Sequence, residues 1–187
     1  MLIMKKIAIQ GYRGAFHQEA AELYFGSDIE LEECMNFESI ATAVGNKTAD
    51  YGMMAVENSL IGCIPHNFFI IRESGLNITG EVSLRIKQNL MALPSQTIND
   101  LYQVKSQSIA IKQCRSFFSL HPHLEVIESP DTAFSVKMIA EKNLKGVGAV
   151  GSRLAASTYG LEIIAHYTNK RIGFSTSEII MTINTLL

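Results

Sequence analysis

The densest set of polar groups in the chain is Glu57-Asn58-Ser59, followed at a short interval by Gly62. A carboxylate, a primary amide and a hydroxyl in consecutive positions offer both donors and acceptors to a small polar ligand. They follow the apolar run Tyr51 to Val56, so they stand at the end of an expected strand. Helix capping by Asn58 or Ser59 would use the same residues equally well. A second set is the loop Gly11-Tyr12-Arg13-Gly14-Ala15-Phe16-His17, where two glycines permit a tight turn and close approach of a ligand to backbone amides. An ordinary strand-to-helix turn accounts for that loop without any ligand. The third set, Asp131-Thr132-Ala133, opens an expected helix, and capping by Ser129 or Asp131 is its simplest use.

These sets need a scaffold, and the hydrophobic pattern supplies one. Short apolar runs at Lys6 to Gln10, Leu31 to Met35 and Tyr51 to Val56 alternate with helical spacing over Ala15 to Phe25 and Phe37 to Asn46. Asn36 is placed to cap the second helix. Leu76 to Ile86 alternates apolar and polar residues, as a long half-exposed strand crossing between lobes would, and Asn89 to Leu93 follows it. A second α/β series then runs: strands at Val104 to Ser106, Leu124 to Ile127, Gly146 to Val150 and Leu161 to Ala165. Its helices are expected at Ile109 to Phe118, Pro130 to Lys142 and Ser152 to Tyr159. The expected fold is α/β, two-lobed and like the hinged (type II) periplasmic binding proteins, with mixed, mostly parallel sheets and a cleft between the lobes. Lobe 1 is expected at about 1–84 plus 166–187, and lobe 2 at about 85–165. In such sheets ligands bind beyond the carboxyl ends of strands, where all three polar sets lie.

Composition narrows the function. The 187 residues are 47% hydrophobic and 18% charged with a formal net charge of −2, so neither disorder nor a basic nucleic-acid footprint is expected. Cys34, Cys63 and Cys114 are far apart and form no Cys-x-x-Cys pair; neither a disulfide framework nor a zinc site is expected, and a reducing cytoplasm fits. His121-Pro122-His123 has no third ligand near it in sequence, so no metal is expected. The start of the chain has the wrong charge order for a signal peptide, and no apolar stretch reaches membrane-spanning length.

Taken in order, the three loops resemble those of the prephenate dehydratase family. Gly11 and Gly14 match its first glycine loop, with Ala15 in place of threonine. Val56-Glu57-Asn58-Ser59 and Gly62 match its hallmark segment, with Ala55 in place of proline. Gly80-Glu81, Ser106…Gln113-Cys114, Asp131-Thr132-Ala133-Phe134-Ser135 and Ser152-Arg153-Leu154-Ala155-Ala156 continue the match. The family's terminal Asn-x-Thr-Arg-Phe motif is altered. Aligning the apolar strand that follows puts Thr176 on the catalytic threonine, Ser177 on the arginine and Glu178 on the phenylalanine; a one-residue shift uses Ser175 instead, and in either case the arginine is missing unless Arg171 supplies it from upstream.

The resemblance implies a lyase that removes carbon dioxide and water from prephenate in phenylalanine biosynthesis, without a cofactor. It implies a cytoplasmic homodimer with no nucleic-acid or membrane partner, and no regulatory ACT domain within this chain. It implies that Thr176 or Ser175 donates to the leaving hydroxyl. Asn58 and Ser59 would bind substrate with Glu57 orienting the segment, and Ser106 and Thr132 would contact carboxylates, with Gly14, Gly62 and Ala133 at the same loops. The alternative from another class is a non-catalytic module that keeps the site and binds a small aromatic or dicarboxylate ligand.

Overall fold

The structure is a computed structural model that describes residues 4–166 and 176–185. The chain divides into two compact units, Met1–Ile86 with Thr176–Leu187, and Lys87–Ser175. Unit 1 begins with β1 (Lys5–Gln10), α1 (Phe16–Phe25), β2 (Ile29–Cys34), α2 (Phe37–Gly45) and β3 (Tyr51–Asn58). It continues with β4 (Gly62–Cys63), α3 (Pro65–Glu73) and β5 (Asn77–Ile86). Unit 2 contains β6 (Asn89–Ala92), β7 (Gln103–Ser106), α4 (Ser108–Gln113), α5 (Arg115–Phe118) and β8 (Glu125–Glu128). It ends with α6 (Thr132–Glu141), β9 (Val147–Gly151), α7 (Arg153–Tyr159) and β10 (Glu162–His166). The last strand, β11 (Thr176–Asn184), belongs to unit 1.

The two sheets follow one plan. In unit 1 the order is β2-β1-β3-β11-β5, with β4 attached to β3; in unit 2 it is β8-β7-β9-β6-β10. The first three strands of each sheet are parallel, joined by crossover helices in β-α-β order. The strands beside them, β11 against β3 and β5, and β6 against β9 and β10, are antiparallel. The α/β class with mixed sheets is therefore as the sequence led one to expect. Parallel pairing belongs to the crossover trios, and antiparallel pairing enters with the strands that flank the passages from one unit to the other.

The central strands read as near-continuous apolar runs because both of their faces are covered. In unit 1, Ala8, Met54 and Val56 pack with Ile40 and Val44 of α2 and Ile70 and Ile71 of α3 on one side. On the other side Ile7, Ile9, Met53, Ala55 and Ile180 pack with Ala20 and Ala21 of α1. Each such aliphatic side chain removed from water contributes about 1.5–3 kcal/mol before conformational entropy is set against it. Asn36 caps α2 as its position predicts, its side-chain oxygen accepting from Ser39 N–H at 2.8 Å. In unit 2, Leu90, Leu101, Val104, Ala110, Leu124 and Val150 form one core cluster, and α6 buries Ala133, Val136 and Ile139. No described helix is long and apolar enough to cross a membrane.

Candidate functional site

Register brings the chemistry of unit 1 to one end of its sheet. β1 and β3 are parallel neighbours, so the loops that follow them leave the same edge. β11 runs antiparallel to β3, so its first residues meet the last residues of β3: Glu178 stands opposite Asn58 and Ile179 opposite Glu57. The carboxyl ends of β1 and β3 and the opening of β11 therefore share one rim, as binding beyond strand ends requires.

Asn58 is the centre of this rim. It is only 1% exposed. Its Oδ1 accepts the N–H of Leu60 at 2.9 Å, which shapes the turn into β4. Its Nδ2 donates to Oε1 of Glu178 at 3.0 Å, joining positions 120 residues apart. The turn closes with Ile61 N–H on the Asn58 carbonyl at 3.2 Å, and Gly62 takes a φ of +78°, a conformation that favours glycine. Beneath it, buried Asn67 donates to the Ala55 carbonyl. Glu57 and Ser59 are exposed at the tip. Thr176 opens β11 two residues before Glu178; its backbone pairs with Ile86 of β5. Ser175 lies outside the described residues.

The glycines of the first loop find backbone and side-chain acceptors within unit 1. Gly11 and Gly14 both have positive φ, at 94° and 85°. Gly14 N–H donates to Oε1 of Gln18 at 2.7 Å, and Gly11 N–H to the Cys34 carbonyl at 2.8 Å. Ala15, at the N-cap of α1, offers no side-chain acceptor, and Gln18 from inside the first turn takes up the Gly14 donor instead.

Unit 2 places its expected residues at the ends of β7 and β8. Ser106 is fully buried, and its hydroxyl donates to the Val150 carbonyl at 2.8 Å, tying β7 to β9. The alternation of Gln103-Val104-Lys105-Ser106 already puts Ser106 on the inward face with Val104. Ser106→Ala is therefore expected to lower stability by about 1–3 kcal/mol, the cost of leaving a buried polar partner unmade. The urea midpoint of unfolding measures it. α6 starts with Asp131 as its cap, Oδ1 accepting the N–H of Phe134 at 2.8 Å. Thr132 and Ala133 are the first two helical residues, 7% and 0% exposed, with backbone N–H groups that point out of the helix start, where a ligand carboxylate is stabilised.

Other chemistries find little support among the described residues. No group of three or more His, Cys, Asp or Glu is placed to hold a metal ion. Burial pushes the Cys114 thiol up to about 12, and burial with the nearby Glu32 charge pushes Cys34 up to about 11, so neither is an activated thiolate. A hollow of about 350 Å³ lies between β2 and α2, touching Cys34, Ser39 and Asn46. Another of about 380 Å³ is lined by Lys5, Asp50, Tyr51 and Asn184. Neither includes an expected site residue.

Two features escaped the sequence. Helix α3, with Pro65 at its first turn, was not marked, although proline there is itself a start signal. The Asn58–Glu178 contact depends on β11 pairing with β3, which no local pattern announces.

Comparison with known proteins fits this geometry. The family model for prephenate dehydratase matches residues 7–173. Arogenate dehydratase/prephenate dehydratase 2, chloroplastic, of Arabidopsis thaliana is 36% identical over 161 residues, covering 86% of this chain and 42% of that protein. The chain thus spans less than half of that relative. A structure described as GqqA, a novel type of quorum quenching acylase, superposes with a TM-score of 0.86 at 28% identity, covering 98% of this chain and 65% of the other. The prephenate dehydratase of Arthrobacter aurescens in complex with L-Phe gives 0.85 at 22% identity, covering 97% and 61%, and shares the fold. With the glycine loop, the Glu-Asn-Ser turn and the Asp-Thr-Ala helix start in their expected order along the matched span, the chain belongs to the prephenate dehydratase family.

Proposed function

We propose that this chain catalyses the decarboxylating dehydration of prephenate to phenylpyruvate, a cofactor-free step toward phenylalanine. The observation that carries the reading is the buried Asn58 amide at the end of β3, on the same rim as the Thr176 end of β11. The reaction releases carbon dioxide and water and gains an aromatic ring, so the protein has a limited task. It holds the dicarboxylate, donates a hydrogen bond to the departing hydroxide, and replaces water around the ring carboxylate. In this reading Thr176, or Ser175, is the donor. Asn58 and Ser59 bind the substrate, with Glu57 orienting their turn, and Gly14 and Gly62 shape the neighbouring backbone. Within unit 2, taken by itself, Thr132 and Ala133 offer N–H groups of the kind that hold a carboxylate, and Ser106 holds β7 in place. The same reading puts the protein in the cytoplasm as a homodimer.

The test is direct. Purified protein incubated with prephenate is expected to form phenylpyruvate, followed by its absorbance in alkali, above the buffer rate. A second reading, a binding module without turnover, is favoured by Glu178, a carboxylate beside Asn58, at the position that the resemblance, with Thr176 on the motif threonine, sets against an aromatic residue. Calorimetry with prephenate and phenylpyruvate beside the assay separates the two: tight binding with no product selects the module.

A further inference from the structure

β3 carries one residue more than the strand beside it. Ala55 stands opposite Ile180 and Glu57 opposite Ile179, so Val56 is an extra residue, a β-bulge just before the Asn58 turn. Continued without the bulge, the register from Ala55 and Ile180 would set Val56 against Ile179 and Glu57 against Glu178. Two carboxylates directly opposed across a strand pair repel each other. With the bulge, Asn58 takes the place opposite Glu178, and its Nδ2 donates to that carboxylate at 3.0 Å. One extra residue exchanges a repulsive pair for a hydrogen bond and fixes where Asn58 stands on the rim.

The start of α3 grips the bulge. The Val56 carbonyl accepts the N–H of Ile64, the residue before the helix, at 2.8 Å. The Ala55 carbonyl accepts Nδ2 of Asn67, in the first turn, at 2.6 Å. Asn67 is 1% exposed, so no bulk water stands ready to replace its amide, and removing the donor leaves a buried carbonyl unpaired. We infer that Asn67 is a positioning residue of the site: its buried amide holds the bulge at Val56, and the bulge sets the register that presents Asn58. The inference rests on the reading of Asn58 as a substrate contact. Without the donor the bulge shifts to relieve the Ala55 carbonyl, and Asn58 leaves its place between the Leu60 N–H and Glu178. A displacement of about 1 Å caused from outside the reacting groups can cost about 10²-fold in rate, which is the kind of effect open to a residue beneath the turn.

The test uses Asn67→Leu, which keeps a similar volume and removes the donor, alone and combined with Asn58→Ala. Alone it is expected to lower kcat/KM for prephenate by about tenfold or more. With Asn58 already alanine it is expected to lower it by less than about threefold, because the two residues act as one unit. A smaller loss alone, or a larger one in the Asn58→Ala background, overturns the role. Amide exchange followed by NMR adds a readout that general loosening does not move. The Leu60 N–H, held by Asn58, is expected to exchange about fivefold or more faster relative to the Ser39 N–H, held in the same way by Asn36. A smaller change in that ratio also overturns the role. If Asn67→Leu does not fold, Asn67→Asp at about pH 8, whose ionised carboxyl keeps the shape and cannot donate, takes its place under the same criteria. If the protein binds without turnover, the dissociation constant of phenylpyruvate replaces kcat/KM. A wild type that neither converts prephenate nor binds phenylpyruvate overturns the substrate reading of Asn58 and this inference with it. Failure of the paired variants or of the exchange ratio with an active wild type overturns Asn67 alone.

Discussion

Asn58→Ala, on the rim of unit 1, is expected to cost both stability and ligand binding. Two hydrogen bonds vanish together. The Leu60 N–H loses its acceptor in the turn, and the half-buried Glu178 carboxylate loses its donor. An unmet buried group costs about 1–3 kcal/mol, so the loss in stability falls in that range or above it. If Asn58 also contacts substrate, kcat/KM falls by about 10²-fold or more, comparable to removing one aimed donor. Asn58→Asp separates these contributions. It keeps an acceptor for Leu60 but sets two carboxylates about 3 Å apart, where both cannot ionise readily. In that variant the shared carboxyl pair binds a proton more tightly folded than unfolded. Its stability is then highest at low pH and falls as pH rises from about 4 toward 7. Asn58→Ala has no such pair and lacks that extra slope. Urea midpoints across this pH range, wild type beside both variants, check the sign.

What the sequence made legible follows from the range of the interactions involved. Asn36 could be named as a cap because its acceptor and the Ser39 N–H lie three residues apart. At α6 two caps were open, Ser129 and Asp131. The fold selects Asp131, because α6 begins at Thr132 and Asp131 is the residue directly before it, within reach of the Phe134 N–H. The apolar strand at the end of the chain was readable; its slot between β3 and β5 was not. Strand order is a contest among distant pairings, and the pairing of Glu178 with Asn58 spans 120 residues. Helix α3 was hidden because Phe68-Phe69-Ile70-Ile71 is a continuous apolar run. Only Ile70 and Ile71 of it are buried, while both phenylalanines remain exposed. Ser106 is the instructive case at the site. Its resemblance suggested a ligand contact, while its inward phase in β7 and bond to Val150 give it a structural task.

Thr176 carries the second large expectation. Departure of hydroxide from a carbon is slow unless a donor meets the developing charge, and the residues at the start of β11 lie on the rim that Asn58 marks. Thr176→Ala is expected to lower kcat and kcat/KM together by about 10²–10³, since an interaction made chiefly in the transition state lowers both equally. Thr176→Ser keeps the hydroxyl and is expected to stay within about tenfold of wild type, whereas a purely structural role for the threonine methyl would make serine and alanine equally poor. Ser175→Ala is expected to change little. If the assignment is off by one residue, the two alanine variants exchange their effects. The double variant tests the pair as a whole: product formation at the wild-type rate with both hydroxyls removed would assign the donor elsewhere, and Ser59, exposed at the tip of the Asn58 turn, is then the next hydroxyl to replace.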